Sequence, residues 1–300
     1  MKVSRRNRSA VADHARVCRV PGLDGVELLS ATVDEHVFPR HAHDALAIGV
    51  MTSGTSEFWC RGAVHRAPAD SLLLLPIGEV HTGNRWRGAG ADGQPTTHRM
   101  FYFDHSTLER LLGVRLPPHG MDFTAVAPSS RMLAECVRRV HDLCEQPSAM
   151  LARETRLTEM LLSVVQCFRS DGPHRPHVSR RAAGNRRDIA QAIAFLHDRF
   201  ADDVSIATLA ALVDLHPVYL IRAFRRVTGL PPHQYQLHLR LAAAKRRLAA
   251  EPPSAVAHGL GFTDQSHLAR HFRRAFGIAP GEYRASLLRS HGSRAGDRGS

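Results

Sequence analysis

Two sets of residues in this chain have types and spacings that could do chemistry. The first is "PRHAHDALAIGVMTSG", Pro39 to Gly54, where His41 and His43 stand two apart at the head of an apolar run. On a strand, alternate residues share a face, so two imidazoles there could ligate a metal, touch a bound molecule or satisfy buried hydrogen bonds. The second set lies in the last hundred residues. "PVYLIRAFRRVTG" and "TDQSHLARHFRRAFG" each carry an apolar spine at helical spacing, Leu220, Phe224 and Val227 in one and Leu268, Phe272 and Phe276 in the other. Each turns arginines and polar residues outward, which is the arrangement of a helix that reads a DNA major groove.

The elements that must position these residues can be read from the pattern. Leu28 to Phe103 consists of short apolar runs ("ALAIGVM", "SEFWC", "SLLLLP", "HRMFYF") broken by turn residues, which predicts an antiparallel sandwich or small barrel with a ligand cavity inside. After Pro128 the period changes. Ser129 or Ser130 can cap a helix carrying Leu133, Val137, Val140 and Leu143, and a second helix carries Leu157, Met160, Leu161, Val164, Val165 and Phe168. "SDGPHRPHVSRRAAGNRR" has no apolar period and reads as a linker. Beyond it, Ser205 caps a short helix, Asp214 to His216 makes the turn, Pro217 opens the first outward-facing helix and Gly229 stops it. The device repeats from Ser254, with a turn at Gly261, a cap at Asp264 and a stop at Gly277. One long helix, Gln234 to Ala250, separates the two copies.

Charge agrees with this division. The chain has a net charge of +12, yet residues 1–171 hold 20 Lys/Arg against 19 Asp/Glu, whereas residues 172–300 hold 20 against 9. A basic surface confined to one part attracts polyanions, double-stranded DNA first among them. With 300 residues, 43% hydrophobic and 23% charged, and no apolar run of about 18 residues, the composition excludes a bilayer-spanning helix bundle and suggests a cytoplasmic protein of two domains. The basic start lacks the apolar stretch of a secretory signal. Cys18, Cys60, Cys136, Cys144 and Cys167 are odd in number and include no C-x-x-C, so reduced, mostly buried thiols are expected.

"GFTDQSHLARHFRRAFGIAPGEYR", Gly261 to Arg284, closely resembles the signature of AraC/XylS transcription regulators, and "LAALVDLHPVYLIRAFRRVTGLPPHQY" resembles the first helix-turn-helix of the same unit. The resemblance implies a seven-helix domain that sets two recognition helices into successive major grooves. It places Val218, Ile221 and Arg222, then Gln265, Ser266, Ala269 and Arg270, nearest base edges, and Arg225, Arg226, Arg273 and Arg274 on phosphates. Two departures stand out: His216 replaces the usual Ser cap, and Gly259 sits where a better helix former is usual.

The N-terminal part resembles the cupin-like sensory module of that family through "PRHAHD" and "PIGEVHTGN". His41, His43 and His81 match three places of the metal-binding cupin set, but the Glu of that set is missing, and Asp44 points to the other face. The expectation is a sensor pocket without a cofactor, lined by His41, His43 and His81 with Arg40, Glu57, Trp59 and Glu79; a metal, if held, falls to the three histidines. Tyr102 is assigned to the core edge. The expected fold is α+β and multidomain, a cupin-like β-barrel or sandwich with a helical pair followed by an all-α double helix-turn-helix. The expected divisions are a disordered arm (1–20), sensor (21–128), connecting or dimerisation helices (129–169), linker (170–187), DNA domain (188–288) and disordered tail (289–300). The resemblance implies a ligand-responsive activator that is not an enzyme, works as a homodimer with RNA polymerase, and answers to an unidentified small-molecule effector. Two other classes compete: a metal-dependent cupin enzyme fused to a DNA-binding domain, and a non-specific nucleic-acid binder.

Overall fold

The structure is a computed structural model that describes residues 14–34, 37–83, 95–117, 120–146, 150–170 and 183–292. Seven strands open the described chain: β1 (His14–Val20), β2 (Leu23–Val33), β3 (Leu46–Ser53), β4 (Thr55–Cys60), β5 (Ala63–Pro68), β6 (Leu72–Leu75) and β7 (Thr96–Phe103). Five of them form an antiparallel sheet in the order β1-β2-β7-β3-β6, and β4 with β5 makes a separate hairpin. Helix α1 (His105–Leu112) and the two-residue strand β8 (Asp122–Phe123) lead to the connecting helices α2 (Arg131–Glu145) and α3 (Met150–Phe168), followed by β9 (Arg169–Ser170), which pairs with β8. Ser130 caps α2, accepting a hydrogen bond from the Leu133 N–H.

Leu46 through Met51 of β3 are all buried, because both faces of the sheet are covered. Leu46, Ile48 and Val50, with Phe101 and Phe103 of β7, pack against Leu133, Val137, Leu157 and Val164 of the helical pair. The alternate residues Ala47, Met51 and Met100 turn to the other side, where Phe58 and Cys60 of the hairpin form a second, smaller core. That second side holds the pocket described below.

Seven helices follow: α4 (Ala183–Asp198), α5 (Ile206–Leu212), α6 (Pro217–Thr228), α7 (Pro232–Arg247), α8 (Pro253–Gly259), α9 (Gln265–Phe276) and α10 (Pro280–Gly292). They form two cores with α7 shared between them. Leu209, Leu220 and Phe224 close the first, onto which Tyr235 and Leu239 of α7 pack. Leu241 and Ala244 of α7 join Val256, Leu268, Phe272 and Tyr283 in the second, and Val17 of β1 belongs to that second core too. The helical part is thus docked on the sheet. Among the described residues no single helix is long and apolar enough to cross a membrane.

Several expected boundaries move. Residues 14–20, assigned to a disordered arm, form edge strand β1, held by β2 on one side and α10 on the other; residues 1–13 lie outside the described residues. The linker assigned to 170–187 is shorter, since Ser170 ends β9 and α4 begins at Ala183. The tail assigned to 289–300 starts later, because α10 runs to Gly292; residues 293–300 lie outside the described residues. Gly259 is the last residue of α8, not an interior one. A Cβ there would stand 2.5 Å from the Arg247 guanidinium, whose Nη1 donates to the Gly259 carbonyl at 3.1 Å, so the absent side chain makes room for that bond. Of the thiols, Cys60 and Cys144 are buried, but Cys167 is exposed on α3.

Candidate DNA interface and sensor pocket

The two recognition helices differ in how firmly they begin. Asp264 accepts the His267 N–H at 2.7 Å, a well-formed cap on α9. His216 caps α6 less well, its Nδ1 accepting from Val218 at 3.4 Å, with Pro217 behind it at a position where a missing N–H costs nothing. Both helices stop at a left-handed glycine, Gly229 and Gly277. At the turn before α9, Gly261 has φ +71° and its hydrogen faces the Ala201 carbonyl so closely that a Cβ would lie 2.2 Å from that oxygen; only glycine fits.

The residues assigned to base edges lie on the surface as expected, with one exception. Val218 and Ile221 are 52% and 38% exposed, unusual for large apolar side chains at the start of a buried-spine helix, and Arg222 is exposed beside them. On α9, Gln265, Ser266 and Arg270 are exposed and Ala269 is half-buried. Arg273 and Arg274 are exposed at the end of α9. Arg225 and Arg226 are exposed too, but they border a cleft of about 680 Å³ between α6 and the sheet domain, facing Arg40 and Trp59.

The sequence groups seven residues into one pocket; the structure divides them. His41, His43 and His81 meet, their ring centroids 4.3 to 5.1 Å apart. Arg40, Trp59 and Glu79 instead border the cleft beside α6: Arg40 lies 3.9 Å over the Trp59 ring, and Glu79 takes the Arg61 guanidinium at 2.9 Å. Glu57 lines neither cavity, standing opposite Arg66 in the β4–β5 pair. The reason is the two-residue period of β4. Ser56 and Phe58 face the pocket, so Glu57 and Trp59 must face away.

The histidine pocket has a volume of about 110 Å³, somewhat below the roughly 150 Å³ cavity that admits benzene. Its walls include Met51, Phe58, Met100 and His98, and also Glu27, Lys245, Phe276 and Tyr283. The last three belong to the helical domain. Tyr102, assigned to the core edge, stands T-shaped against His43 at 5.0 Å and is a pocket residue. Alternation along β7 could have shown this, since Tyr102 shares a face with Met100. Nothing in the sequence could have placed Lys245 or Tyr283 there, because their approach depends on domain docking.

Glu27 is the most buried of the charged groups that join the two parts. Its carboxylate receives Lys245 Nζ at 2.6 Å and the Tyr283 hydroxyl, and nearby Arg246 pairs with Asp44 while the Ala42 N–H donates to His238 Nδ1 at 3.1 Å. Burial, followed by the neighbouring Glu27 charge, pushes the Tyr283 phenol well above its ordinary pKa. Burial likewise holds His43 and His81 well below the usual imidazole value, with His41 beside both adding to it. Burial takes His98 to about 4 and His238 to about 3. His43 and His81 are therefore neutral imidazoles at neutral pH, able to accept a hydrogen bond.

Comparison with known proteins agrees with this division. Residues 25–161 match the model of the AraC-like ligand binding domain, and residues 209–286 match a helix-turn-helix domain. The transcriptional activator RhaS of Enterobacter sp. (strain 638) is 36% identical over 253 residues, which are 82% of this chain and 87% of that one. The chain belongs to the AraC/XylS family of transcription regulators. Other members align over less: two RhaS proteins of Pectobacterium match over about half of their own length, 47% and 54%, at 30% and 29% identity. In fold, this AraC/XylS chain is similar to ToxT of Vibrio cholerae, with TM-scores of 0.51 and 0.53 at 9% identity, covering 88% of this chain and 98% of that one.

Proposed function

We propose that this protein is a sequence-specific DNA-binding transcription activator whose DNA domain is released or re-aimed by a small molecule in the histidine pocket. One observation carries the reading: the pocket wall is shared, so that Lys245 of α7, Phe276 of α9 and Tyr283 of α10 line the same cavity as the sheet-domain histidines. A ligand there touches the spacer between the recognition helices and the end of the second one. Its different contacts in the docked and undocked states would shift the balance between them. A cavity of this size and lining suits a compact, largely apolar molecule with one polar group for the imidazoles.

Val218, Ile221, Arg222, Gln265, Ser266, Ala269 and Arg270 are the proposed base readers, and Arg225, Arg226, Arg273 and Arg274 the proposed phosphate contacts. No catalytic role is proposed, and RNA polymerase is the proposed further partner, both on family grounds. A second copy of the chain is the proposed partner of the connecting helices, where Met132 on α2 and Leu151 and Leu162 on α3 are 74%, 75% and 50% exposed.

The test is to map the protein's binding sites across its own genome, then compare Arg270→Ala on an enriched site and on unrelated DNA. Losing one paired base contact should cost about 1–3 kcal/mol on the cognate site only. An equal loss on all sequences would favour non-specific binding, and the absence of any enriched site would remove the proposal.

A further inference from the structure

The cleft between α6 and the sheet domain is a second cavity, separate from the histidine pocket, and its charges are out of balance. Four arginines, Arg40, Arg61, Arg225 and Arg226, border about 680 Å³ of space, and the carboxylates on its wall are Glu79 and Asp122. Arg61 takes both. Its Nε donates to Glu79 at 2.9 Å, one Nη donates to Asp122, and the other donates to the Phe123 carbonyl at 2.8 Å. That leaves Arg40 on the sheet side, and Arg225 and Arg226 on α6, without a carboxylate partner among the described residues. Burial, followed by the like charge of Arg225, holds the Arg40 guanidinium below its ordinary pKa. Two cations brought together across a domain boundary repel unless an anion lies between them.

Both sides of this cleft are fixed by backbone. Arg40 lies 3.9 Å over the Trp59 ring, and His41, the next residue, is bridged to His81. Trp59 exchanges two hydrogen bonds with Thr82, its N–H donating to the hydroxyl at 2.8 Å and its carbonyl accepting the Thr82 N–H at 2.9 Å. Across the cleft, Arg225 stands in the last turn of α6, whose stop, Gly229, rests on the sheet domain: a Cβ there would lie 3.3 Å from the Val80 Cβ.

Between the cations the wall is apolar, with Trp59, Ile77, Val80, Met121 and Val227. A pair of guanidinium forks suits a phosphate or carboxylate, and the apolar wall suits an aromatic or aliphatic body attached to it. A phosphate of duplex DNA brings no such body and would leave the wall uncovered.

We propose that this cleft binds a small organic anion, its charged group held between Arg40 and Arg225 and its apolar body against Trp59 and Ile77. The two arginines belong to different domains, so such a ligand favours the docked arrangement. Arg225 is also a proposed phosphate contact, so the ligand and DNA compete for one side chain. The anion is thus a negative input to DNA binding, opposite in sign to a molecule in the histidine pocket that releases the DNA domain. The competition rests on the regulator reading above; the binding does not.

The test uses the full chain carrying Trp86→Phe, which leaves Trp59 as the one tryptophan and its emission as the readout. Phenyl phosphate and benzoate are titrated at constant ionic strength, with inorganic phosphate as the control that lacks a body. One equivalent of either aromatic anion should bind at least about fivefold more tightly than inorganic phosphate, and Arg40→Gln and Arg225→Gln should each weaken it at least about tenfold. Both variants should keep the far-ultraviolet circular dichroism of the parent, and calorimetry repeats the titration for Arg40→Gln, where the stack on the fluorophore is lost. No binding, equal binding of all three anions, or binding unchanged in both variants would overturn the site. A saturating aromatic anion should lower affinity for an enriched DNA site at least about fivefold in the parent and not in Arg40→Gln. Undiminished affinity in the parent would overturn the competition. The anion titrations contain no DNA, so failure of the regulator reading would show as the absence of an enriched site with anion binding intact.

Discussion

Glu27→Gln is the substitution that most directly tests how much of the domain docking rests on this carboxylate. The pair it breaks is largely removed from water, with the Glu27 and Lys245 side chains 15% and 18% exposed and 2.6 Å apart. Removing one partner of such a pair strands a buried charge, at a typical cost of 3–5 kcal/mol. Two features reduce that here. The amide oxygen left by the substitution can still accept the Tyr283 hydroxyl, and Lys245 Nζ lies 5.0 to 5.5 Å from the rings of Tyr102, Phe276 and Tyr283, each worth about 0.5 kcal/mol or more to a cation. A net loss of about 2 kcal/mol follows, which is roughly a thirtyfold increase in the undocked population. Glu27 and Lys245 lie in different domains, so the loss falls on docking and not on either core. Hydrogen exchange measured by mass spectrometry should show it as faster exchange in α10 and the facing β1, with the α2–α3 pair unchanged. A double-mutant cycle with Lys245→Met separates the pair from its surroundings. Unchanged exchange in α10, or a coupling energy below about 0.5 kcal/mol, would show that Glu27 does not hold the domains together.

Three further outcomes are expected. His141 is fully buried against Phe101, and burial, only partly offset by Glu145, pushes its pKa down to about 4. The folded state then refuses a proton that the unfolded chain takes near 6.5. The stability contribution is intact above pH 6.5 and is lost as pH falls toward 4, amounting to about 2 kcal/mol at pH 5. His141→Phe should flatten that acid limb in urea melts of the sheet domain, and an acid limb identical to the parent's would count against the assignment. Gly261→Ala must place a methyl group against the Ala201 carbonyl at positive φ, so it should cost at least about 2 kcal/mol and abolish specific DNA binding; near-parental melting and footprinting would contradict the turn geometry. Removing the α9 cap with Asp264→Ala should cost about 1 kcal/mol, whereas His216→Ala should cost clearly less and His216→Ser should strengthen α6; equal losses for the two alanine variants in thermal melts would refute the difference in cap quality.

The sequence by itself determined whatever depends on local chemistry and short period. Apolar spacing of three and four, caps at Ser205 and Asp264, and left-handed stops at Gly229 and Gly277 specify the two helix-turn-helix units, and they leave Arg270 and Gln265 on the only face the spine does not use. His41 and His43 do meet, but not through the strand alternation expected of them: β3 begins only at Leu46, and His41 is held by an isolated bridge to His81. The same rule, applied to β4, would have turned Glu57 and Trp59 away from the pocket, and applied to β7 it would have brought Tyr102 in; those misplacements came from grouping residues by motif and not by face.

Tertiary structure alone decided the rest. The strand formed by residues 14–20 looks like a polar arm until β2 and α10 supply partners on either side, because an edge strand's stability comes from its neighbours. The meeting of Glu27 with Lys245 and Tyr283 joins residues 218 and 256 positions apart, and no local pattern encodes such a contact. His238 reads in sequence as one polar residue on a long helix; only the docked arrangement brings it to the Ala42 N–H, beside the histidine cluster. Helical and strand periods report which face of an element is buried, but which other element covers that face is settled by the packing of the whole chain.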